Sequence, residues 1–260
     1  MDRREVIRKL FFSGNKNKIL LPDDLSTKAS SDSIDGNTPH RYISQWQQLP
    51  DSTSLSEDIG SPYSSDWCIK NGELHCVCHS IERTLIIRTY RLVETSKVFK
   101  AVTILRFFDN RIDKAWKENY AGFRIGVKVD LDEYDPAITT ENGIDIGITR
   151  DGCLFIGHNF SSKQIAEEIL LTEIRLVLSA IPQTGGKYFT KLKALDRSGN
   201  TLATLSDEQE AATWMGFVGL VSQSQPESYN TDESSVSFRY LEVEGRGWIN
   251  IIEKEHKTIH

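Results

Sequence analysis

Two glutamates in the segment "LEVEG" come nearest to a catalytic pair in this 260-residue sequence. Glu242 and Glu244 are two positions apart, so on a strand both side chains point to the same side of the sheet. Glycoside hydrolases place two carboxyl groups about 5–9 Å apart around the bond that they cleave. The pair therefore permits a small glycan-cleaving enzyme. The alternative is that both glutamates face water while Leu241 and Val243 point inward. We favour this alternative, because no complete catalytic constellation is visible.

Aromatic side chains near the middle of the chain are candidates for glycan binding. The segment "DKAWKENYAG" has the character of a loop before a strand and contains Trp116 and Tyr120, and Arg124 follows on that strand. Sugar rings present C–H faces that pack against aromatic faces. We therefore predict Trp116, Tyr120 and Arg124 as ligand-binding residues. Trp67 and Trp214 begin strands, so we expect them in the core, where most tryptophans of a sandwich lie.

The acidic segment "DLDEYD" is the best candidate for a metal site. Asp130, Asp132 and Asp135 would present carboxylate oxygens from a loop at the edge of a sheet, and calcium binds about six to eight oxygens. The segment lacks the regular acidic spacing of a dedicated calcium loop, so we favour a solvated acidic turn, with a calcium site as the alternative. We predict no cofactor other than calcium at this loop.

A run of histidine and cysteine, "HCVCH", looks like a metal site until strand geometry is applied. Successive side chains point to opposite faces, so Cys76 and Cys78 share one face and His75 and His79 the other. The two histidines would then stand about 13 Å apart, which is too far to share an ion. We interpret the cysteines as buried thiols, with a zinc ion held by the cysteine pair and two outside ligands as the alternative.

Short strands joined by turns must position these residues. Asn71-Gly72 is the dipeptide best suited to a type I′ hairpin turn, and Arg150-Asp151-Gly152 joins a second pair of strands. In "YAGFRIGVKVDL" the apolar residues Phe123, Ile125 and Val127 alternate with other residues, so we expect all three on one buried face. About ten such segments at regular spacing predict an all-β fold, an antiparallel two-sheet β-sandwich of the jelly-roll type.

Helices are predicted at only two places, Asp207 to Thr213 with Ser206 as its cap, and Ser162 to Ile169. Parallel sheets would need crossover helices, so the sheets are expected to be antiparallel. Glycines within the strands are expected to mark bends, bulges or a close approach of another backbone or ligand; they are Gly122, Gly126, Gly147, Gly157, Gly216 and Gly219.

Charge and composition limit the class of partner and the domain layout. The net charge is −6 and no face-wide basic patch is visible, which argues against a nucleic-acid-binding protein. No apolar run reaches the roughly 18 residues that a membrane-spanning helix needs. We expect a flexible N-terminal segment over residues 1–40, the sandwich over residues 41–250 and a tail over residues 251–260. The start "MDRREVIRKLFF" has the arginine pair of an export signal but no continuous apolar stretch after it, and a basic amphipathic helix is the alternative.

The order of the strand motifs resembles a known family. The segments "DWCIKNGELHC", "GFRIGVKVD", "GIDIGITRDGCLFIG" and "IRLVLSAIP" follow the order found in concanavalin A-like (laminin G-like) jelly rolls, over roughly residues 42–248. More narrowly, they are similar to the region that precedes the metallophosphatase domain in some bacterial PhoD-type alkaline phosphatases. That resemblance implies an exported accessory module without the enzyme's metal ligands. The resemblance to laminin G-like domains also allows a calcium ion at the edge of a sheet.

The favoured function from sequence is a non-catalytic recognition or accessory module. Glycans are the ligand class that the resemblance implies, and a phosphatase-type catalytic domain is the partner that it implies. A small jelly-roll glycoside hydrolase is the first alternative. The second alternative is a purely structural domain that packs on a catalytic partner, which would show a sizeable exposed apolar patch.

Overall fold

Two antiparallel sheets of eight strands each pack face to face in this protein. A computed structural model describes residues 40–56, 58–61, 64–77, 83–108, 119–128, 143–223, 234–245 and 248–250. The predicted all-β sandwich is confirmed. The predicted N-terminal segment and C-terminal tail lie outside the described residues except for His40, so their flexibility stays a prediction.

Sheet A is built around the long strands of the second half of the chain. Its strand order is β13 (Thr201–Glu210), β12 (Lys187–Leu195), β11 (Ile174–Gln183), β6 (Phe99–Phe107), β15 (Val236–Gly245), β4 (Glu73–Cys76) and β3 (Trp67–Lys70), with β1 (His40–Ile43) paired to β15. Every pairing is antiparallel, as the alternation of apolar and polar residues predicted.

Sheet B faces sheet A and takes most of its strands from the middle of the chain. Its strand order is β10 (Asn159–Gln164), β9 (Cys153–Ile156), β8 (Ile144–Thr149), β7 (Tyr120–Val127), β14 (Gly216–Gln223), β5 (Arg83–Leu92) and β16 (Trp248–Asn250), with β2 (Ile59–Gly60) paired to β5. The described helices are short: 3₁₀ turns at Trp46–Gln48, Ser64–Asp66 and Ala211–Trp214, and helix α1 at Glu167–Leu170. None of the helices in the described ranges has the length and apolar character needed to cross a membrane.

The core lies between the sheets and follows the two-residue period of the strands. On β11, Leu176 and Leu178 are fully buried, and Phe123 and Ile125 of β7 meet the core from the other sheet. Burial of one such side chain contributes about 1.5–3 kcal/mol. The tryptophans expected in the core, Trp67 and Trp214, are fully buried and that prediction is confirmed; Trp46 is buried with them.

The prediction that Phe123, Ile125 and Val127 share one buried face is wrong for Val127. Phe217 pairs with Val127 and the next residue, Val218, pairs with Ile125, so Gly126 is an extra residue in β7. Its φ of 80° is a left-handed conformation that glycine adopts without a steric penalty. This bulge turns Val127 away from the main core, and Val127 forms a separate buried cluster with Ile86 and Phe217.

The predicted helix from Asp207 to Thr213 is also wrong. Residues up to Glu210 continue strand β13, where Asp207 pairs with Thr190 and Glu210 with Lys187. Only Ala211–Trp214 forms a helical turn, and it is 3₁₀. Hydrogen bonds to β12 satisfy the backbone N–H and C=O groups of this acidic segment, so strand pairing overrides the helix that its local sequence predicts. The segment lies at the edge of sheet A, where charged side chains oppose further strand pairing.

The second predicted helix, Ser162 to Ile169, is right only over its last residues. Residues up to Gln164 belong to β10, and α1 covers Glu167–Leu170. The predicted hairpin turn at Asn71-Gly72 is confirmed, since both residues have positive φ values of 53° and 72°.

Three glycines within the strands of sheet B allow neighbouring backbones to approach closely, which is one of the roles expected for them from the sequence. Gly122 of β7 and Gly147 of β8 are register partners, and a Cβ atom added to Gly122 would lie 2.5 Å from the Gly147 Cα. A Cβ atom added to Gly219 of β14 would lie 1.8 Å from the Leu85 carbonyl oxygen. These contacts are with backbone atoms, so a side chain can be accommodated only if a strand moves.

Replacement of Gly219 by alanine is expected to destabilise the sandwich by at least about 3 kcal/mol, because strand β5 must shift. Gly185→Ala is the matched control. Its Cβ would meet open space, so only the strain of its φ of 81° applies, about 1–2 kcal/mol. Urea unfolding of both variants measures the difference. Equal loss of stability in the two variants would contradict the close approach at Gly219.

Candidate functional site

A groove of about 780 Å³ lies on the outward face of sheet A. Strands β6, β11, β12 and β15 contribute to it, because the residues between their core-facing positions point outward. We call this feature the sheet A groove. Its lining combines apolar side chains, arginines and two glutamates, and the 3₁₀ turn at Trp46–Gln48 adds Gln47 at one side.

The floor of the sheet A groove is apolar. Val177 of β11 and Val102 of β6 are register partners, and Ile104 lies two residues further along β6. All three side chains are half-buried. Leu195 at the end of β12 continues the apolar surface. The groove therefore offers a narrow apolar strip that could hold the C–H face of a ring.

One wall of the groove carries a carboxylate with fixed orientation. The Glu242 carboxylate accepts hydrogen bonds from Arg41 Nε at 2.7 Å and from Tyr240 Oη. Burial alone would raise the pKa of Glu242, but the bonds from Arg41 and Tyr240 outweigh it and hold this pKa below its ordinary value. The pKa of Tyr240 is raised, first by burial and then by Glu242. Glu242 is thus an ionised acceptor at neutral pH.

The opposite end of the groove holds a second carboxylate in the same manner. Glu173 accepts a hydrogen bond from Arg239 Nη1 at 2.6 Å and forms an ion pair with Arg197 at 3.2 Å. Arg239 reaches this position through a bulge in β15, where Phe238 pairs with Leu105 and Tyr240 pairs with Ile104. Because of the extra residue, Arg239 and Tyr240 both line the groove although they are consecutive.

The acidic pair singled out from sequence lies on this same strand. Leu241 and Val243 point into the core and Glu242 and Glu244 point outward, as the non-catalytic alternative expected. Glu242 lines the groove, and Glu244 is the register partner of Lys100 and Arg41. A general acid needs a raised pKa, whereas the partners of Glu242 lower its pKa. The non-catalytic interpretation of the pair stays a prediction.

The predicted ligand-binding residues Tyr120 and Arg124 lie on the outward face of sheet B. Arg124 donates to both Asp145 oxygens, from Nε at 2.6 Å and from Nη2 at 2.7 Å, and Tyr120 Oη donates to Asp145 at 2.8 Å. Arg124 also donates to Thr84 Oγ1 at 2.9 Å, so its side chain spans strand β14. Trp116 lies outside the described residues.

The Arg124–Asp145 pair has the geometry of a structural anchor. Only 5% of the Arg124 side chain is exposed, and its donors meet a carboxylate and a hydroxyl. Removal of one partner from such a buried pair leaves an uncompensated charge. No local sequence pattern distinguishes Asp145. The two residues are register partners on β7 and β8, which only the strand pairing reveals. Ligand binding by Tyr120 and Arg124 stays a prediction.

The predicted metal sites receive no support from the described part of the chain. The calcium candidates Asp130, Asp132 and Asp135 lie outside it, as do Cys78 and His79 of the "HCVCH" run. Within the described ranges no three His, Cys, Asp or Glu side chains are grouped so that they could hold a metal ion.

The part of "HCVCH" that is described follows strand alternation. Cys76 points into the core. His75, the preceding residue, contacts Ser234 Oγ through Nδ1 at 2.8 Å, and burial lowers its pKa. A buried thiol at Cys76 is therefore confirmed, and the neighbouring histidine belongs to a different environment.

Comparison with known proteins gives a fold but no family. No family model matches the chain, and no curated protein matches it by sequence. Among solved structures it is similar to arcelin-5, a lectin-like defence protein from Phaseolus vulgaris. The identity is 7%, the TM-score is 0.54, and the match covers 81% of this chain and 99% of that chain.

Two further similar structures are lectins with bound sugars. Basic winged bean lectin in complex with Tn-antigen has 8% identity and a TM-score of 0.53, with 80% of this chain and 98% of that chain covered. Lectin I from Ulex europaeus, in complex with the methyl glycoside of α-L-fucose, has 9% identity and a TM-score of 0.51, with the same coverage. At these identities the comparison establishes the fold: this chain is a concanavalin A-like jelly roll of the kind found in legume lectins.

Proposed function

We propose that this chain is a non-catalytic carbohydrate-recognition module that binds a glycan in the sheet A groove. One observation carries the proposal: an apolar strip lies between two carboxylates, Glu242 and Glu173, and arginines hold each of these carboxylates in place. Sugars combine hydroxyl groups that need fixed acceptors and donors with C–H faces that need apolar contact. Similarity of the fold to sugar-binding lectins adds support.

The hydrogen-bonding capacity of the Glu242 carboxylate fits this role. A carboxylate offers about four acceptor positions, and Arg41 and Tyr240 each use one of them. The remaining positions can accept hydrogen bonds from sugar hydroxyls. Because Glu242 is already oriented, little side-chain entropy is lost when a ligand binds.

The alternative functions require different features of the structure. A glycoside hydrolase would need a protonated carboxyl group beside an ionised one, which the lowered pKa of Glu242 does not favour. The purely structural alternative is favoured by exposed apolar side chains among the described residues, such as the register partners Phe189 and Ile181 at one end of sheet A. A phosphatase-type partner and export rest on the sequence resemblance alone.

A glycan array with the full chain tests the proposal. Glu242→Gln keeps the shape of the side chain and removes its charge, so we expect binding to weaken roughly ten- to hundredfold. Glu208→Gln on the edge strand β13, outside the groove lining, is the matched control and should bind like the wild type. Tyr120→Phe tests the predicted site on sheet B.

The outcomes of this experiment distinguish between the candidate functions and between the two candidate binding sites. Absence of binding to every glycan contradicts the recognition function. Weakened binding in Tyr120→Phe with normal binding in Glu242→Gln places the site on sheet B. Release of reducing ends by the wild type, abolished in Glu242→Gln, supports the hydrolase.

Calcium dependence tests the predicted metal loop. If Asp130, Asp132 and Asp135 bind calcium, a calcium concentration of 100 times the dissociation constant should stabilise the protein by about 2.7 kcal/mol. Thermal unfolding with calcium and with a chelator measures this shift. Asp132→Asn should reduce it, whereas Asp207→Asn on strand β13, outside the acidic segment of the sequence, should not. Identical unfolding with calcium and with chelator would leave a solvated acidic turn.

The pH dependence of glycan binding follows from Glu242. Its pKa in the folded protein is lowered from 4.5, so the carboxylate stays ionised as the pH falls and is protonated only below that ordinary value. We expect affinity to be constant from pH 7 to about pH 5 and to decline only under stronger acid. Titration calorimetry across this range measures it, and a decline centred between pH 6 and about pH 7 would contradict a role for Glu242.

A further inference from the structure

We propose that the glycan recognised by this chain is an acidic polysaccharide, with the acidic groups bound by Lys100, Arg175, Lys191 and Lys193 beside the sheet A groove. The inference rests on the proposed function and specifies its ligand class. These four cations lie on the outward face of three adjacent strands, β6, β11 and β12.

Strand register places the four cations in one cluster. Ser179 of β11 is the register partner of both Lys191 and Lys100, so the two lysines lie on either side of it. Two strand spacings separate their Cα atoms by about 10 Å. Lys193 lies two residues along β12 from Lys191, about 7 Å away. Arg175 lies opposite Leu195, two residues along β11 from Val177, which is the register partner of Lys193, and it lines the groove.

The ion pairs around the groove do not include the four clustered cations. Arg41 pairs with Glu242, and both Arg197 and Arg239 pair with Glu173. Within the described residues, none of the four clustered cations has a carboxylate in ion-pair contact. Glu244 lies opposite both Lys100 and Arg41. Glu173 and Asp196 line the groove with Arg175, and Arg197 and Arg239 already pair with Glu173. On the neighbouring strand β13, Glu208 pairs with Lys187. In a chain of net charge −6, Lys100, Lys191 and Lys193 therefore form a local positive region beside the groove.

The mixture of charges indicates a polysaccharide rather than a nucleic acid. Glu242 and Glu173 would repel a closely spaced row of phosphates, whereas they can accept hydrogen bonds from sugar hydroxyls. The apolar strip between them suits the C–H face of a sugar ring. A chain that carries both hydroxyls and spaced acidic groups, either uronate carboxylates or sulfates, complements the groove and the cluster together.

Binding of defined polysaccharides to the full chain tests this inference. The probes are polygalacturonate, dextran sulfate and neutral dextran, with single-stranded DNA as a further polyanion. We expect polygalacturonate or dextran sulfate to bind, and the one that binds more tightly identifies carboxylate or sulfate as the acidic group. Counterion release predicts that the affinity falls with salt.

A double variant tests the cluster itself. Lys191→Gln with Lys193→Gln should weaken binding of the acidic polysaccharide at least about tenfold and lower the salt slope by about two. The matched control is Lys128→Gln with Lys163→Gln, which changes two exposed lysines, one directly after β7 and one on β10 of the other sheet. It should leave both quantities unchanged.

The failure of this inference is distinguishable from failure of the proposed function. If neutral dextran or neutral array glycans bind through Glu242 and the lysine pair has no effect, the inference is overturned and the recognition function stands. If no polysaccharide binds, both are overturned. Equal affinity for DNA and for the acidic polysaccharides, lost to the same extent in the control variant, would show unspecific attraction of polyanions and overturn the assignment.

Discussion

The burial of alternate side chains between two sheets is the constraint on which the rest of the structure depends. Where Leu176 and Leu178 fill the core from β11, Arg175 and Val177 must point outward. The same rule on β6 and β15 brings the outward residues of three strands to one surface. The sheet A groove is therefore the reverse side of the core packing. A change in strand register would invert both at once.

Bulges modify that alternation at two positions and change which side chains reach the core and the sheet A groove. The extra residue Gly126 in β7 moves Val127 out of the main core. The extra residue Arg239 in β15 gives the groove two consecutive side chains, Arg239 and Tyr240. Each of the two then bonds a different carboxylate, Glu173 or Glu242. A local irregularity thus supplies hydrogen-bond donors at both ends of the sheet A groove.

The two outward faces of the sandwich have different electrostatic characters. On sheet B the Arg124 guanidinium is enclosed and bonded on both sides, by Asp145 and Thr84, which suits an anchor between strands. On sheet A the ion pairs lie at the ends of an open groove, and a cluster of cations beside it has no ion-paired carboxylate among the described residues. Open charge beside an apolar floor is the arrangement on which the proposed recognition function rests.

Local sequence determined the strands, the Asn71-Gly72 turn, the burial of Trp67 and Trp214 and the outward direction of Glu242 and Glu244, because two-residue alternation and turn chemistry act over short segments. The tertiary structure alone decided the rest. The acidic segment from Asp207 became a strand because β12 offered it a ladder of hydrogen bonds. Arg41 meets Glu242, and Glu173 meets Arg239, across long sequence separations, and such partners are set by strand order, which no local pattern contains.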